Sequence, residues 1–248
     1  MRRHPQKYRV SITVNGKELP VELVFERRHG HRFAITRKRI IMRLPLGIDE
    51  REVPIRLAEL QEWVGKVSAQ KNSILTPFTP KEYRTGDIIT VGPRQYFLDI
   101  EEEDRGSHSG KLVGNTVALY LSNRSTPAHR AKAIKTLLSR IIAADFQAEI
   151  SQRVHAWNHR TVDKPIKGVF LKYNHSNWGS CSHSGNINLS TRLLFAPREV
   201  QDYVIVHELA HLVEPNHSDR FWALVERFIP NHPEQEAWLK KHGGECDF

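Results

Sequence analysis

Apolar and polar residues alternate along the first part of the chain. Tyr8, Val10, Ile12 and Val14 form one series, and Leu19, Val21, Leu23 and Phe25 the next. A period of two places each series on one face of a strand. Asn15-Gly16 between them favours a tight hairpin turn. A second hairpin is predicted from strands near 32–36 and 39–44, joined around Arg37-Lys38. Leu57, Leu60, Trp63, Val64 and Val67 then recur at helical spacing within 53–69. A third hairpin is predicted from residues 88–91 and 95–100 about Gly92-Pro93, and residues 112–113 and 116–121 add strands. Residues 101–110, acidic and then rich in Gly, Ser and His, read as an exposed loop with His108 in solvent.

From Thr126 the period changes. Thr126 suits a helix cap and Pro127 its first position. The apolar stripe that follows is Ile134, Leu137, Leu138, Ile141, Ile142, Phe146, Ile150 and Val154. A helix of about 30 residues is long for a globular protein and should brace its neighbours. Strands are expected at 169–173 and 187–190, with Trp178-Gly179-Ser180-Cys181 as a short strand or turn between them. Residues 198–214 are apolar on most of a helical circumference, and Pro215 must end that helix. Phe221, Trp222, Leu224, Val225 and Phe228 give a further helix its core face. Trp238 and Leu239 suggest a last one, and residues 242–248 should be loose. No internal repeat is apparent. The prediction is an α+β chain: a mostly β region over 1–122 and a compact domain over 123–248.

The candidate chemistry lies in the apolar helix. His207-Glu208-x-x-His211 sets two imidazoles four residues apart on one helical face, where they can share one ion. Zinc takes nitrogen ligands, and a catalytic site usually has three protein ligands and a water. His217, just after the turn forced by Pro215, is the expected third ligand, with Asn216 as cap of the next helix and Asp219 at its third position. Glu208 is placed to take a proton from the metal-bound water without being a ligand. Buried histidines and a buried glutamate are costly unless paired or metal-bound. His155 and His159 are also four apart, but no Glu follows His155, and they read as surface residues at a helix end. Cys181 reads as a small buried residue.

His-Glu-Leu-Ala-His, then Asn-His-Ser-x-x-Phe-Trp, with Trp178-Gly179-Ser180-Cys181-Ser182 and Asn188-Leu189-Ser190 before them, resembles the YgjP-like metal-dependent hydrolases. These are relatives of the WLM and SprT-like metallopeptidases. The close match covers about residues 170–230. The resemblance implies a zincin-like catalytic domain, three His on zinc and Glu as general base. In zincin-like folds a strand such as Trp178-Gly179-Ser180 borders the cleft and can pair with an extended substrate. Many members carry a basic residue just before Trp-Gly-Ser-Cys; here it is Asn177.

Composition narrows the setting. No apolar run approaches the roughly 18 residues of a membrane span. The start leads into a strand pattern and not a signal-peptide apolar region. Two cysteines, Cys181 and Cys246, make a disulfide framework improbable and point to a reducing cytoplasm. The net charge of +9 is uneven: residues 1–45 hold 12 Lys/Arg and 3 Asp/Glu, and the rest sums to zero. Any attraction to nucleic acid or another polyanion therefore belongs to residues 1–45, although few aromatics are there to stack on bases. Three readings compete: a zinc metallopeptidase acting on peptide or protein, a metal-dependent nucleotide or phosphoanhydride hydrolase, and a zinc-stabilised nucleic-acid-binding module. The absence of a Gly-x-x-x-x-Gly-Lys phosphate loop weakens the second, and the open three-ligand site with Glu208 argues against the third.

Overall fold

The structure, a computed structural model, describes residues 6–36, 39–70, 74–75 and 81–248. The chain divides into two compact units, Met1–Pro80 and Lys81–Phe248. Arg37-Lys38, expected to join the second hairpin, lies outside the described residues.

In the first unit, β1 (Gln6–Val14), β2 (Lys17–Glu26), β3 (Arg32–Ile35) and β4 (Ile40–Pro45) form a sheet of order β1-β2-β4-β3. Its outer pairs are antiparallel and its central pair, β2 with β4, is parallel. Asn15 and Gly16 take φ of 52° and 73°, the positive values that a tight hairpin turn requires. The alternating series face inward from Ile12 onward, whereas Tyr8 near the start of β1 stays exposed. Leu19, Val21, Leu23, Met42 and Leu44 pack in one cluster with Leu60 and Val64 of α1 (Glu52–Gln70). Burying each such side chain stabilises by about 1.5–3 kcal/mol. Part of the basic excess is neutralised within the sheet. Glu22 holds Arg39 at 2.5 Å and Lys7 at 3.5 Å, and Glu26 holds Arg43 at 3.0 Å and Arg28 at 3.2 Å.

The second unit starts with the same arrangement. β5 (Ile88–Val91), β6 (Arg94–Glu103), β7 (Ser109–Val113) and β8 (Thr116–Ser122) form a sheet of order β5-β6-β8-β7, again with antiparallel outer pairs and a parallel centre. A helix again follows, α2 (Pro127–Arg160). This ββββα repeat is one of topology, and the sequence hid it because any alternating apolar residues satisfy the pleat. The expected boundary at 122/123 is also corrected. Val91, Leu98, Val117 and Leu119 share a core with Leu138 and Ile142 of α2 and with the segments that follow, so the β5–β8 sheet belongs to the second unit. The expected loop is shorter than 101–110, since β6 runs to Glu103 and β7 starts at Ser109. His108 is not merely solvated: its Nδ1 accepts from the Ser122 N–H at 3.1 Å, and its Nε2 lies 3.1 Å from Ser125 Oγ.

Thr126 caps α2 by accepting from the His129 N–H, with Pro127 in the first turn. All eight residues of the predicted stripe are buried. A third sheet follows, of β9 (Gly168–Lys172), β10 (Gly179–Cys181) and β11 (Asn186–Ser190), in the order β10-β11-β9. A 3₁₀ turn, Thr191–Phe195, leads to α3 (Arg198–Ala210), α4 (Asp219–Phe228) and α5 (His232–His242). The far end of α2 reaches α3: Arg153 donates to Asp202 and Gln201 at 2.8 Å each, and Trp157 Nε1 donates to Asp202 at 2.5 Å. Residues 242–248 are not loose. Cys246 and Phe248 are buried, and the buried Arg192 donates to the carbonyls of Cys246 (2.8 Å), His175 (3.1 Å) and Gly243. The described residues form an α+β fold of five α-helices and three sheets. None of these helices is long and apolar enough to cross a membrane.

Candidate metal centre

The α3 helix starts with Glu199 in its first turn, which suits the positive end of the helix dipole. Val200, Tyr203, Val204, Val206 and Leu209 bury it on nearly every side. Its regular part ends at Ala210, and His211 is the C-cap residue. The turn that Pro215 demands follows, closed by the Glu214 N–H on the Ala210 carbonyl at 2.9 Å. Ser218, not Asn216, caps α4, accepting from the Phe221 N–H at 3.4 Å. His217 therefore sits in the turn ahead of that helix rather than in its first turn.

The fold brings the three predicted histidines together: ligand atoms of His207, His211 and His217 all lie within 4.8 Å of one another. Nε2 of His207 and Nε2 of His217 are 3.1 Å apart. Two nitrogens held by one tetrahedral zinc at about 2.0–2.1 Å stand about 3.3–3.4 Å apart, so this spacing fits a shared ion. His211 Nδ1 lies 3.1 Å from the Glu214 carbonyl, which can only accept. The N–H is thus on Nδ1, leaving the Nε2 lone pair of the neutral ring free. Burial, helped by the neighbouring histidines, pushes the His207 pKa down to about 4, and burial also lowers that of His211. Both rings are neutral near pH 7, the state a metal ligand needs. His207 Nδ1 is buried with no hydrogen-bond partner among the described residues.

Glu208 is 6 % exposed, and burial raises its pKa to about 8, opposed by a hydrogen bond from the Cys181 backbone. The register of β10 explains that bond. Ser190 N–H bonds the Trp178 carbonyl at 2.8 Å and Ser182 N–H bonds the Asn186 carbonyl at 3.0 Å. Antiparallel alternation then makes Ser180 and Asn188 the bonded pair and turns the backbone groups of Gly179 and Cys181 away from β11. The Cys181 N–H goes to Glu208, and the Gly179 carbonyl accepts from Asn177 Nδ2 at 3.2 Å. Gly179 also has to be small: a Cβ there would lie 2.5 Å from Glu208 Oε1. Trp178 lies under the Arg192 guanidinium, 4.5 Å from its ring centre. Ser180 Oγ accepts from Asn188 Nδ2 at 3.4 Å.

Some contributors were not read from the sequence as part of the site. Phe221, fully buried, touches all three imidazoles, with ring centroids 4.6–4.9 Å away. The sequence marked it as core by helical spacing and as the Phe of Asn-His-Ser-x-x-Phe-Trp, but not as a partner of the rings. Tyr203, one turn before His207, lies edge-on to that ring at 5.9 Å. His232 stacks on both Tyr203 and Trp222, and it sits on a separate helix with no motif to mark it. His155 and His159 stay outside the cluster; His159 is exposed beside Asp163.

Three imidazoles converging beside the buried Glu208 on an α+β frame fit a metal-dependent hydrolase. The chain belongs to the YgjP-like family, whose metallopeptidase-domain model matches residues 30–242. That membership makes a peptide or protein the class of substrate, and a divalent metal the class of cofactor. Among solved structures, the crystal structure of the metallopeptidase zymogen of Pyrococcus abyssi abylysin is 27% identical over 36% of this chain and 93% of that one. Its TM-score of 0.32 is too low to bear on the fold. No curated protein matches the chain.

Proposed function

We propose that this chain is a zinc-dependent, zincin-type peptidase in which His207, His211 and His217 hold one ion and Glu208 is the general base. The observation that carries this reading is the convergence of the three ring nitrogens next to a carboxylate fixed by the edge strand β10. Bound zinc would bring the pKa of its water toward about 7 and polarise the scissile carbonyl. The chain's own residues supply the rest. Cys181 N–H holds the Glu208 carboxylate, which takes the proton of the attacking water and delivers it to the leaving amine. Burial raises the proton affinity of Glu208, while the Cys181 N–H favours the charged form that accepts a proton.

The outward edge of β10 supports an extended substrate pairing there, with Trp178, Gly179 and Ser180 as its wall. Asn177 covers the Gly179 carbonyl and must yield that acceptor to an incoming peptide N–H. We also propose a reducing, cytoplasmic setting, supported by the free thiols of Cys181 and Cys246. The test is elemental analysis alongside digestion of an unfolded protein. The parent should hold about one zinc and release peptides until a chelator is added; His211→Ala should hold little zinc. Release that ignores the chelator, or phosphate release from nucleotides in place of peptides, would overturn this reading.

A further inference from the structure

In the sheet of order β10-β11-β9 the strand opposite the catalytic edge is β9, two strand spacings or about 10 Å from β10. Between β9, α2 and the start of the 3₁₀ turn lies a cavity of about 670 Å³. Lys132, Lys135 and Arg140 of α2 and Lys172 of β9 line it, and no acidic residue does. Residues 81–248 carry 21 Lys/Arg and 20 Asp/Glu, so this is a local excess in a nearly neutral unit. Only Lys135 is matched, by Asp247 at 2.5 Å. Lys132, Arg140 and Lys172 have no acidic partner among the described residues.

Apart from Gln147, the rest of the lining is apolar or hydroxylic. Ala143, Ala144 and Leu171 offer carbon surface. At the floor Ser139 and Thr191, 3 % and 1 % exposed, share a hydrogen bond of 2.8 Å. The volume falls in the range of pockets that take small organic ligands, about 300–1,000 Å³. Gln147 has already claimed the β9 edge here, donating to the Val169 carbonyl at 2.9 Å and accepting from the Leu171 N–H at 3.3 Å. A ligand is therefore read by side chains and not by strand addition. Lys and Arg side chains bind phosphate as well as carboxylate, but many phosphate sites add a helix N-terminus or a glycine-rich backbone nest. This cavity uses the middle of α2 and is lined by no glycine, so its match is a carboxylate on an apolar body.

We propose that this cavity is a secondary docking site for acidic, partly apolar segments of a peptide, separate from the metal centre. That the peptide is a substrate rests on the metallopeptidase reading; the binding itself does not. The probe is fluorescein-labelled Glu-Glu-Leu-Phe-Glu, followed by anisotropy on the full chain at low salt. Binding should weaken at least tenfold in Lys132→Glu/Arg140→Glu, and equally in Ala144→Trp, which fills the cavity without changing charge. Melting temperature and zinc content should stay at parental values in both. The neutral probe Gln-Gln-Leu-Phe-Gln should bind at least tenfold more weakly, and Glu208→Gln should bind the acidic probe as the parent does. Four results would overturn the proposal: no binding by the parent; weakening by charge reversal but not by Ala144→Trp, which would mark an ordinary solvated face; displacement by equimolar inorganic phosphate; or loss of binding in Glu208→Gln. The last would put the probe in the catalytic cleft and leave the metal assignment standing.

Discussion

The sheets β1-β2-β4-β3 and β5-β6-β8-β7 share a strand order and a sequence of antiparallel, parallel and antiparallel pairs, and each is followed by a helix. They differ in what that helix does next. α1 has 19 residues, about 28 Å, and its buried apolar side chains, Leu60 and Val64, serve its own sheet. α2 has 34 residues, about 51 Å. Its Leu138 and Ile142 lie in the core that holds the second sheet, while Arg153 and Trp157 grip Asp202 on α3. One topology thus yields a self-contained sheet in the first unit and a brace for the histidine-bearing helix α3 in the second. The chain reaches that difference through the length of one helix.

Matched core deletions test this division most strongly. Leu60→Ala and Leu138→Ala each remove a fully buried side chain and should each cost about 2–5 kcal/mol by denaturant unfolding. Only Leu138→Ala should also weaken zinc retention against a chelator. Equal loss of zinc in both variants would break the comparison.

The next effect, on the order of a few kcal/mol, is pH-linked and belongs to the second unit. Without metal, the folded pKa of Glu208 is about 8 against an ordinary 4.5, because burial disfavours its charge. Between those values the unfolded state binds fewer protons, so stability falls with rising pH. The contribution of Glu208 is intact below about pH 4.5 and is lost as pH rises through about 8. Melting of the metal-free protein should show Glu208→Gln gaining on the parent from pH 5 to pH 8. A constant gap would mean that the carboxylate is not desolvated. In the first unit the hydrogen bond from Arg39 lowers the pKa of Glu22, so its effect has the opposite sign, with stability lost as pH falls.

Gly179→Ala should be smaller in free energy but specific to turnover. The added methyl meets Glu208, so turnover should fall up to about 10²-fold as the base is displaced, with zinc content unchanged. Parental turnover would show that β10 can give way. The smallest effect is Glu22→Gln, which frees Arg39 and Lys7 from a partly exposed cluster. It should change stability by no more than about 1 kcal/mol. A larger loss would mean that ion pairs, and not the apolar face, hold the first sheet.

Period carried most of the fold into the sequence. The alternation over 8–25 and the α2 stripe each report a face that must be buried, and both gave the right element. The unit boundary was not legible, because composition cannot say which helix a sheet will pack against. The caps of short helices depend on one hydrogen bond, which is how Ser218 displaced Asn216. The convergence of His207, His211 and His217 could be read because α-helical spacing and a proline turn are local. Cys181 N–H on Glu208 and Arg192 on the C-terminal segment are long-range contacts. No periodicity announces those.

The account stands most directly on Glu208, and one preparation of Glu208→Gln tests it by zinc content, melting temperature and turnover together. The substitution keeps the shape of the side chain and removes its basicity. The expected result is about one zinc per chain, an intact fold and hydrolysis slowed by about 10²–10⁴. A Glu208→Gln protein that is fully metallated and fully active would contradict it.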